Sequence, residues 1–266
     1  MITPLIKRLV ISAILVSLTI FTIFCAPNWF FFLIVELFGL LALNEFLTLA
    51  EKKGIVINRL SCLFFGMLLP FSFYFPSDSI ILTMACLSFF IFNFHRRLRE
   101  QALISTAVTF FGLIYVAWFF SHLVKIKELP GGSSWVFFVI LLVKGGDAGA
   151  YFVGRKIGRN KLIEHVSPNK SVEGAVAGFA TTVILSLISK IYLPHVEWTH
   201  LLVLGTALGL LSQFGDLAES LIKRDAGVKD SGSIPGLGGI LDVLDSLLLS
   251  VPFAYYYITA FPGVTH

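Results

Sequence analysis

Residues 200–224 read HLLVLGTALGLLSQFGDLAESLIKR, an apolar run that ends in a polar stripe. The run from 200 to 221 is long enough to cross a bilayer, since roughly 20 helical residues span the hydrocarbon core. Similar runs recur along the whole chain. The stretch therefore predicts a membrane-spanning helix that is one of several.

The composition supports a membrane protein. Hydrophobic residues make up 56% of the 266 residues and charged residues 14%, whereas soluble domains carry about 25% charged residues. We predict an all-α fold, a multi-pass transmembrane helix bundle of about nine spans. The predicted spans are 9–25, 29–49, 61–75, 79–94, 102–124, 134–153, 175–193, 200–221 and 240–260.

Several features exclude other classes. The first apolar run follows Lys7 and Arg8 like a signal peptide, but no A-x-A site follows it, so we predict a retained helix. Three cysteines lie in apolar runs without CxxC spacing, which argues against a disulfide framework and a zinc site. The net charge is +4. In a membrane protein the Lys and Arg residues mostly reflect its orientation in the bilayer, so we expect no nucleic-acid partner.

The basic residues predict the orientation. With a cytoplasmic N-terminus, sixteen of the twenty Lys and Arg residues fall in inside segments and only Lys125 and Lys127 in outside ones. Under the positive-inside rule this distribution favours that topology. The polar stretches 145–174 and 215–246 then face the cytoplasm. We interpret residues 1–100 as a transmembrane scaffold and 101–266 as the region that carries the chemistry.

The end of the opening stretch carries a polar stripe. Asp216, Glu219, Ser220 and Lys223 fall at i, i+3, i+4 and i+7, on one face of a helix. Salt bridges on a wet face could explain such a stripe. Because it continues an apolar span, two acids there indicate a functional site.

A second pair of acids follows a glycine-rich loop (residues 229–239), which has four glycines among its eleven residues. Backbone N–H groups in such a loop can approach anionic oxygens closely. Asp242 and Asp245 come next, on the first turns of the last predicted span. Acids at a helix N-terminus also stabilise its dipole, but two acids on each of two spans favour a site for Mg²⁺ and phosphate.

Two further clusters precede these. Asp147 lies near the cytoplasmic end of a span, either as a functional group or as the partner of Lys144. Ser167 and Pro168 have the order of an N-cap and a first helical residue. A helix N-terminus attracts phosphate, and Lys170 and Ser171 would add a charge and a hydroxyl there.

These residues resemble the phosphatidate cytidylyltransferases, also called CDP-diacylglycerol synthases. The family signature reads approximately S-x-x-K-R-x4-K-D, a short loop, P-G-H-G-G, and a helix starting D-R-x-D. Its counterparts here are Ser220, Lys223, Arg224, Lys229, Asp230, Pro235, Gly236, Gly238, Gly239, Asp242 and Asp245. The family's N-D-T-x-A-Y and S-P-K-K-T-x-E-G stretches resemble residues 146–151 and 167–174. Leu237 replaces the motif His, Val243 replaces the motif Arg, and the loop before Pro235 is one residue shorter.

The resemblance implies a nucleotidyltransferase of phospholipid biosynthesis, which joins CTP and phosphatidic acid into CDP-diacylglycerol and pyrophosphate. It implies a Mg²⁺ ion, for which Asp216 and Asp242 are the first expected ligands, while Asp245 is expected to hold a second cation or to support the ligands of the first. Lys223, Arg224 and Asp147 are the expected catalytic residues. Substrate contacts are expected from Ser167, Lys170, Ser171, Glu173, Ser220, Lys229, Asp230, Gly238 and Gly239.

Two other functions stay open at this point. A CTP-dependent lipid kinase would share the metal and phosphate chemistry. A polytopic transporter would also place polar groups in its spans, although usually near the bilayer midplane in repeated halves. The expected location is a bacterial cytoplasmic membrane with the site facing the cytoplasm, and a homodimer is left open.

Overall fold

The computed structural model of the protein describes residues 14, 16–73, 78–96, 100–234 and 238–261. Helices α1 to α10 are residues 16–24, Asn28–Lys52, Arg59–Leu68, Asp78–Arg96, Ala102–Gly112, Phe119–Lys127, Gly132–Ile157, Val172–Ile188, Trp198–Asp225 and Ile240–Ala260. A π-helical segment, Leu113–Trp118, joins α5 to α6, and 3-10 turns follow α3 (Leu69–Phe73) and α8 (Ser189–Ile191). Two short strands, β1 (Lys161–Ile163) and β2 (Ser167–Ser171), form an antiparallel hairpin.

The helices confirm the predicted fold class. Within the described residues, seven helices are long and apolar enough to cross a membrane, and they match the second and the fourth to ninth predicted spans. The third predicted span, 61–75, is a shorter apolar helix, Arg59–Ser72. The first, 9–25, lies partly outside the described residues.

The chain folds as two compact units. The first contains residues 1–125 and 225–244, and the second contains residues 126–224 and 245–266. These units are defined by compactness, whereas the sequence analysis divided the chain by function at residue 100. That functional division stays a prediction.

Helix α2 contributes many of the buried residues of the first unit. Its apolar residues surround the helix on all sides, which is typical of a helix that faces both protein and lipid. Val35 and Leu43 are buried, whereas Leu33 and Leu37 are half exposed on another face. At Gly66 of α3 an added Cβ would lie 2.7 Å from the Leu43 side chain, so α3 packs closely on α2.

Small residues bring α7 and α8 of the second unit together. An added Cβ at Gly178 would lie 2.9 Å from the backbone oxygen of Gly146 and 2.9 Å from the Ala150 Cβ. Small residues at a spacing of four let membrane helices approach closely and gain van der Waals contact. The small residues beside Asp147 therefore serve helix packing.

The start of α8 differs from the prediction. Ser167 and Pro168 belong to strand β2, and the helix begins at Val172. Its N-cap is Ser171, whose Oγ accepts a hydrogen bond from Gly174 N at 3.1 Å. The prediction that Ser167 caps this helix was wrong, because pairing of β2 with β1 extends the chain through Ser171.

Candidate active site

A cavity of about 530 Å³ opens among α7, α8, α9 and the hairpin of the second unit. It lies toward the C-terminal end of α7, the N-terminal end of α8 and the C-terminal end of α9. Five predicted site residues line it: Asp147, Ser167, Lys170, Ser171 and Asp216. Tyr151, the last residue of the stretch that resembles a family motif, also lines it, and the sequence prediction missed four further polar lining residues: Arg155, Asn169, Ser212 and Gln213.

Opposite charges meet across this cavity. Lys170 Nζ lies 2.8 Å from Asp216 Oδ1, joining the residue before the α8 cap to the polar stripe of α9. Both side chains are about a quarter to a third exposed, at 25% and 33%. Because both side chains are accessible, a ligand can break this ion pair. A phosphate can bind Lys170, and a cation can bind Asp216.

Asp147 belongs to a second polar cluster. Its Oδ2 lies 3.2 Å from Lys144 Nζ and accepts a hydrogen bond from Ser246 Oγ at 2.8 Å. Lys144 also donates to Ser246 Oγ at 2.8 Å, which ties α7 to α10. The predicted pairing of Asp147 with Lys144 is thus present, and a direct role of Asp147 in the reaction stays a prediction.

Asp245 is buried close to these groups. Its side chain is 8% exposed, and it interacts electrostatically with Asp216, Lys144 and Asp147. An added Cβ at Gly215 would lie 2.5 Å from the Asp245 backbone oxygen. Gly215 therefore permits the close approach of α9 and α10 that places Asp216 near Asp245.

The rest of the polar stripe is buried in the protein. Glu219 is fully buried, and its Oε2 lies 2.6 Å from Lys223 Nζ. Ser220 is 8% exposed, and Arg224 Nε donates to the Val166 backbone oxygen at 3.1 Å. None of these four residues lines the cavity. The predicted substrate contact of Ser220 and the predicted phosphate contacts of Lys223 and Arg224 stay predictions.

Glu173 organises the hairpin. Its carboxylate accepts hydrogen bonds from the backbone N–H groups of Arg159 and Asn160, at 3.1 Å and 3.2 Å, and from the Asn160 side chain at 2.8 Å. Its predicted substrate contact is not tested by these bonds, but they give it a structural role in holding the hairpin on α8.

In the first unit, Asp242 holds the glycine-rich loop. Asp242 Oδ2 accepts hydrogen bonds from Ser231 N at 3.0 Å and Gly239 N at 2.6 Å. Gly238 has φ +85°, where an L side chain is strained, and an added Cβ would lie 2.6 Å from Asp242 Oδ2. Lys229 and Asp230 are exposed at the start of the loop. Leu237 of the family motif lies outside the described residues.

The sequence analysis missed Glu45. This residue lies in α2, in the segment interpreted as scaffold, and it accepts hydrogen bonds from Ser231, Ile240 and Leu241. The available signal was an acid inside a predicted membrane span, which is costly unless it has partners or a function.

The carboxylates of the second unit are suited to Mg²⁺. No group of three His, Cys, Asp or Glu side chains arranged to hold a metal occurs in the part of the chain that the structure describes. Mg²⁺ does not need one, since it is usually held by one or two carboxylates, substrate phosphates and water. Asp216 and Asp245 are the two carboxylates of the second unit that could form such a partial ligand set.

Comparison with known proteins places these observations in a family context. The chain matches the model of the cytidylyltransferase family over residues 6–261. It is 30% identical to the phosphatidate cytidylyltransferase of Bacillus subtilis (strain 168), over 96% of this chain and 98% of that protein. The phosphatidate cytidylyltransferase of Synechocystis sp. is also 30% identical, over 94% and 95%. That of Haemophilus influenzae is 43% identical, over 45% and 44%.

Proposed function

The chain belongs to the cytidylyltransferase family, and we propose that the cavity of its second unit is where its substrates bind. The membership confirms the resemblance found in the sequence. The protein is a membrane-embedded nucleotidyltransferase that converts CTP and phosphatidate into CDP-diacylglycerol and pyrophosphate.

The binding proposal rests on a cavity at the ends of apolar helices that is lined by both charged and apolar residues. Its volume of about 530 Å³ lies within the range of small-molecule sites, about 300–1,000 Å³. Lys170 and Arg155 supply positive charge beside the carboxylates of Asp147 and Asp216. Leu162 and Leu217 add an apolar part to the lining. A site for both a nucleotide and a lipid headgroup needs this combination.

The chemistry requires two anionic molecules to meet. A phosphate oxygen of phosphatidate attacks the α-phosphorus of CTP, and the bond between that phosphorus and the bridging oxygen of the pyrophosphate breaks. Pyrophosphate leaves with the bonding electron pair. The attacking phosphate is already ionised, so the protein needs no general base. Its main task is to position the groups and reduce their repulsion.

We assign this task to cationic side chains, of which Lys170 and Arg155 line the cavity. We assign Lys170 to a phosphate, which releases Asp216 from their ion pair. Lys144 lies beside Asp147 and Ser246 and contributes positive charge nearby. Lys223 and Arg224 keep their predicted roles as phosphate contacts.

We propose Asp216 and Asp245 as the residues of the second unit that hold Mg²⁺. Asp242 of the first unit remains a predicted ligand on the family motif alone. A bound Mg²⁺ would neutralise phosphate charge and favour departure of pyrophosphate. We also propose that the cavity faces the cytoplasm, where CTP is available.

Two labelled forms of CTP test the function. Purified protein is incubated with phosphatidate, diacylglycerol as a lipid alcohol, Mg²⁺ and CTP labelled either in the cytosine ring or in the γ-phosphate. We expect the ring label in lipid and the γ-label in pyrophosphate. The γ-label in lipid, without the ring label, would indicate a lipid kinase and contradict the assignment.

Two variants test the cavity. We expect Asp216→Asn to lower turnover by on the order of 100-fold, because it removes charge needed for a hard cation. Glu197→Gln, an exposed acid in the connection before α9, serves as the control and should keep wild-type turnover. Normal turnover of Asp216→Asn in folded protein would exclude the proposed site.

A further inference from the structure

Glu45 caps a helix that is distant from it in sequence. Its Oε1 accepts a hydrogen bond from Ile240 N at 3.0 Å, and its Oε2 accepts one from Leu241 N at 2.9 Å. These are N–H groups of the first turn of α10, which have no acceptor within the helix. A carboxylate at this end also interacts favourably with the helix dipole. Residue 45 thus fixes the start of the helix that carries Asp242.

The same carboxylate reaches Asp242 through one side chain. Ser231 Oγ lies 2.7 Å from Glu45 Oε2 and 3.1 Å from Asp242 Oδ2. Ser231 N and Gly239 N donate to that same Asp242 oxygen. A change at Glu45 therefore acts on both ends of the glycine-rich loop and on the orientation of Asp242.

The loop sequence leaves room for Glu45. An added Cβ at Gly232 would lie 2.5 Å from Glu45 Oε1, and one at Gly239 would lie 2.4 Å from Oε2. The Cβ at Gly239 would also lie 2.0 Å from Ser231 Oγ. Two of the four loop glycines are thus required for the approach of this carboxylate. Glycine at positions 232 and 239 is thus explained by packing against the Glu45 carboxylate, in addition to the access for phosphate that the sequence predicts.

We propose that Glu45 is a positioning residue for the reaction. It holds the glycine-rich loop and Asp242 in the arrangement that receives substrate, before any ligand binds. The role rests on the proposed function and on the predicted contacts of Asp242 with metal and of the loop glycines Gly238 and Gly239 with substrate. Helix α2, which the sequence analysis interpreted as part of the scaffold, would then contribute one residue that supports the reaction.

Glu45→Gln tests the proposal. The Gln side chain has one oxygen that accepts hydrogen bonds and one NH₂ group that only donates them. The NH₂ group must therefore face the backbone N–H of either Ile240 or Leu241, and that hydrogen bond is lost. Hydrogen exchange of peptides covering 229–245 is measured without metal, and turnover is measured across Mg²⁺ concentrations. We expect exchange in these peptides to accelerate roughly fivefold or more and turnover to fall on the order of tenfold. The half-saturating Mg²⁺ concentration should rise.

Glu51→Gln is the matched control. Glu51 lies on the same helix, and its carboxylate contacts Arg59 at 2.9 Å instead of the loop. This variant should leave loop exchange, turnover and the Mg²⁺ response as in the wild type. Ser231→Ala is the second test variant, because it removes the link to Asp242 and keeps the two contacts of Glu45 with α10. It should raise the half-saturating Mg²⁺ concentration with a smaller change in exchange at 240–241.

The outcomes are distinguishable. Unchanged exchange and an unchanged Mg²⁺ response in Glu45→Gln would overturn the proposal. A uniform rise in exchange along the chain, with normal turnover per folded molecule, would also overturn it and leave a purely structural role. If Glu45→Gln does not fold, a normal Mg²⁺ response in Ser231→Ala decides against the proposal. Wild-type protein without turnover would contradict the proposed function, while the exchange data would still decide whether Glu45 positions the loop.

Discussion

Glu36 differs sharply from Glu45, although both lie on α2. Both Glu36 carboxylate oxygens are inaccessible to solvent and lack a hydrogen-bond partner among the described residues. They adjoin a void of about 10 Å³ that Gly39, Gly66 and Ser121 also line. This is about the space of one water molecule. A buried carboxylate without partners is destabilising, and more so if it is charged.

We therefore expect Glu36→Met to stabilise the protein. A flexible apolar side chain removes the unsatisfied oxygens and fills an irregular space. The melting temperature in detergent should rise by about 2–4 °C for each kcal/mol gained, with turnover unchanged. Glu51→Met should bring no such gain, because it breaks the Glu51–Arg59 ion pair. A lower melting temperature or lost turnover for Glu36→Met would show that this carboxylate has a ligand or a functional partner.

Asp242 holds the glycine-rich loop and is a predicted metal ligand, and one substitution can separate the observed contact from the predicted role. Ser231 N, Ser231 Oγ and Gly239 N all converge on its Oδ2. An Asn oxygen can take the place of that atom, so the loop contacts survive in Asp242→Asn while the charge is lost. Asp242→Ala removes both the contacts and the charge.

For Asp242→Asn we expect turnover to fall on the order of 100-fold, as for loss of a metal ligand. The loss of stability should be small, about 0.3–1 kcal/mol from the helix dipole. Asp242→Ala should lose turnover and also melt clearly lower. Turnover of Asp242→Asn within a few-fold of wild type at saturating Mg²⁺ would remove Asp242 from the ligands and leave Asp245 as the candidate on α10.

At the scale of single elements, sequence patterns predicted the apolar helices well and the polar connections poorly. The spans could be predicted because a bilayer requires long apolar helices, whatever their partners. The hairpin before α8 has no apolar alternation, so nothing in residues 161–171 indicated strands. Ser167 and Pro168 satisfied a local capping rule, but β-pairing decided the conformation. The role of Glu45 depends on contacts with residues almost 200 positions away along the chain. A local sequence pattern cannot reveal such contacts.

The corrected cap gives a prediction with a matched pair. Ser171→Ala removes the acceptor for Gly174 N and should cost about 1 kcal/mol of stability. Ser167→Ala should cost much less, since Ser167 is a strand residue. Thermal unfolding of both variants checks this. Equal melting temperatures for the two variants would contradict the assignment of Ser171 as the N-cap.

For the whole molecule, the basic residues at helix ends bear on orientation. The last turns of α2, α7 and α9 contain Lys or Arg: Lys52, Arg155, Lys156, Lys223 and Arg224. The last turns of α8 and α10 contain none, although Lys190 follows α8. The helix dipole would favour cations at every C-terminus. The exceptions are Lys125 and Lys127, which end α6, a helix predicted to end outside. The larger number of cations at helices predicted to end inside is what the proposed orientation expects under the positive-inside rule.

Cysteine labelling tests this orientation directly. Lys156→Cys, at the end of α7, and Glu197→Cys, just before α9, are both exposed and are predicted on opposite sides of the membrane. The parent chain has Cys25, Cys62 and Cys86 replaced by Ala, and turnover of each variant shows that it is folded. In intact bacterial cells made permeable only in the outer layers, a membrane-impermeant maleimide should label Glu197→Cys. Lys156→Cys should react only after the membrane is broken, because the positive-inside rule predicts that this end of α7 lies in the cytoplasm. Labelling of Lys156→Cys in intact cells, with Glu197→Cys protected, would invert the topology and place the cavity away from the CTP pool.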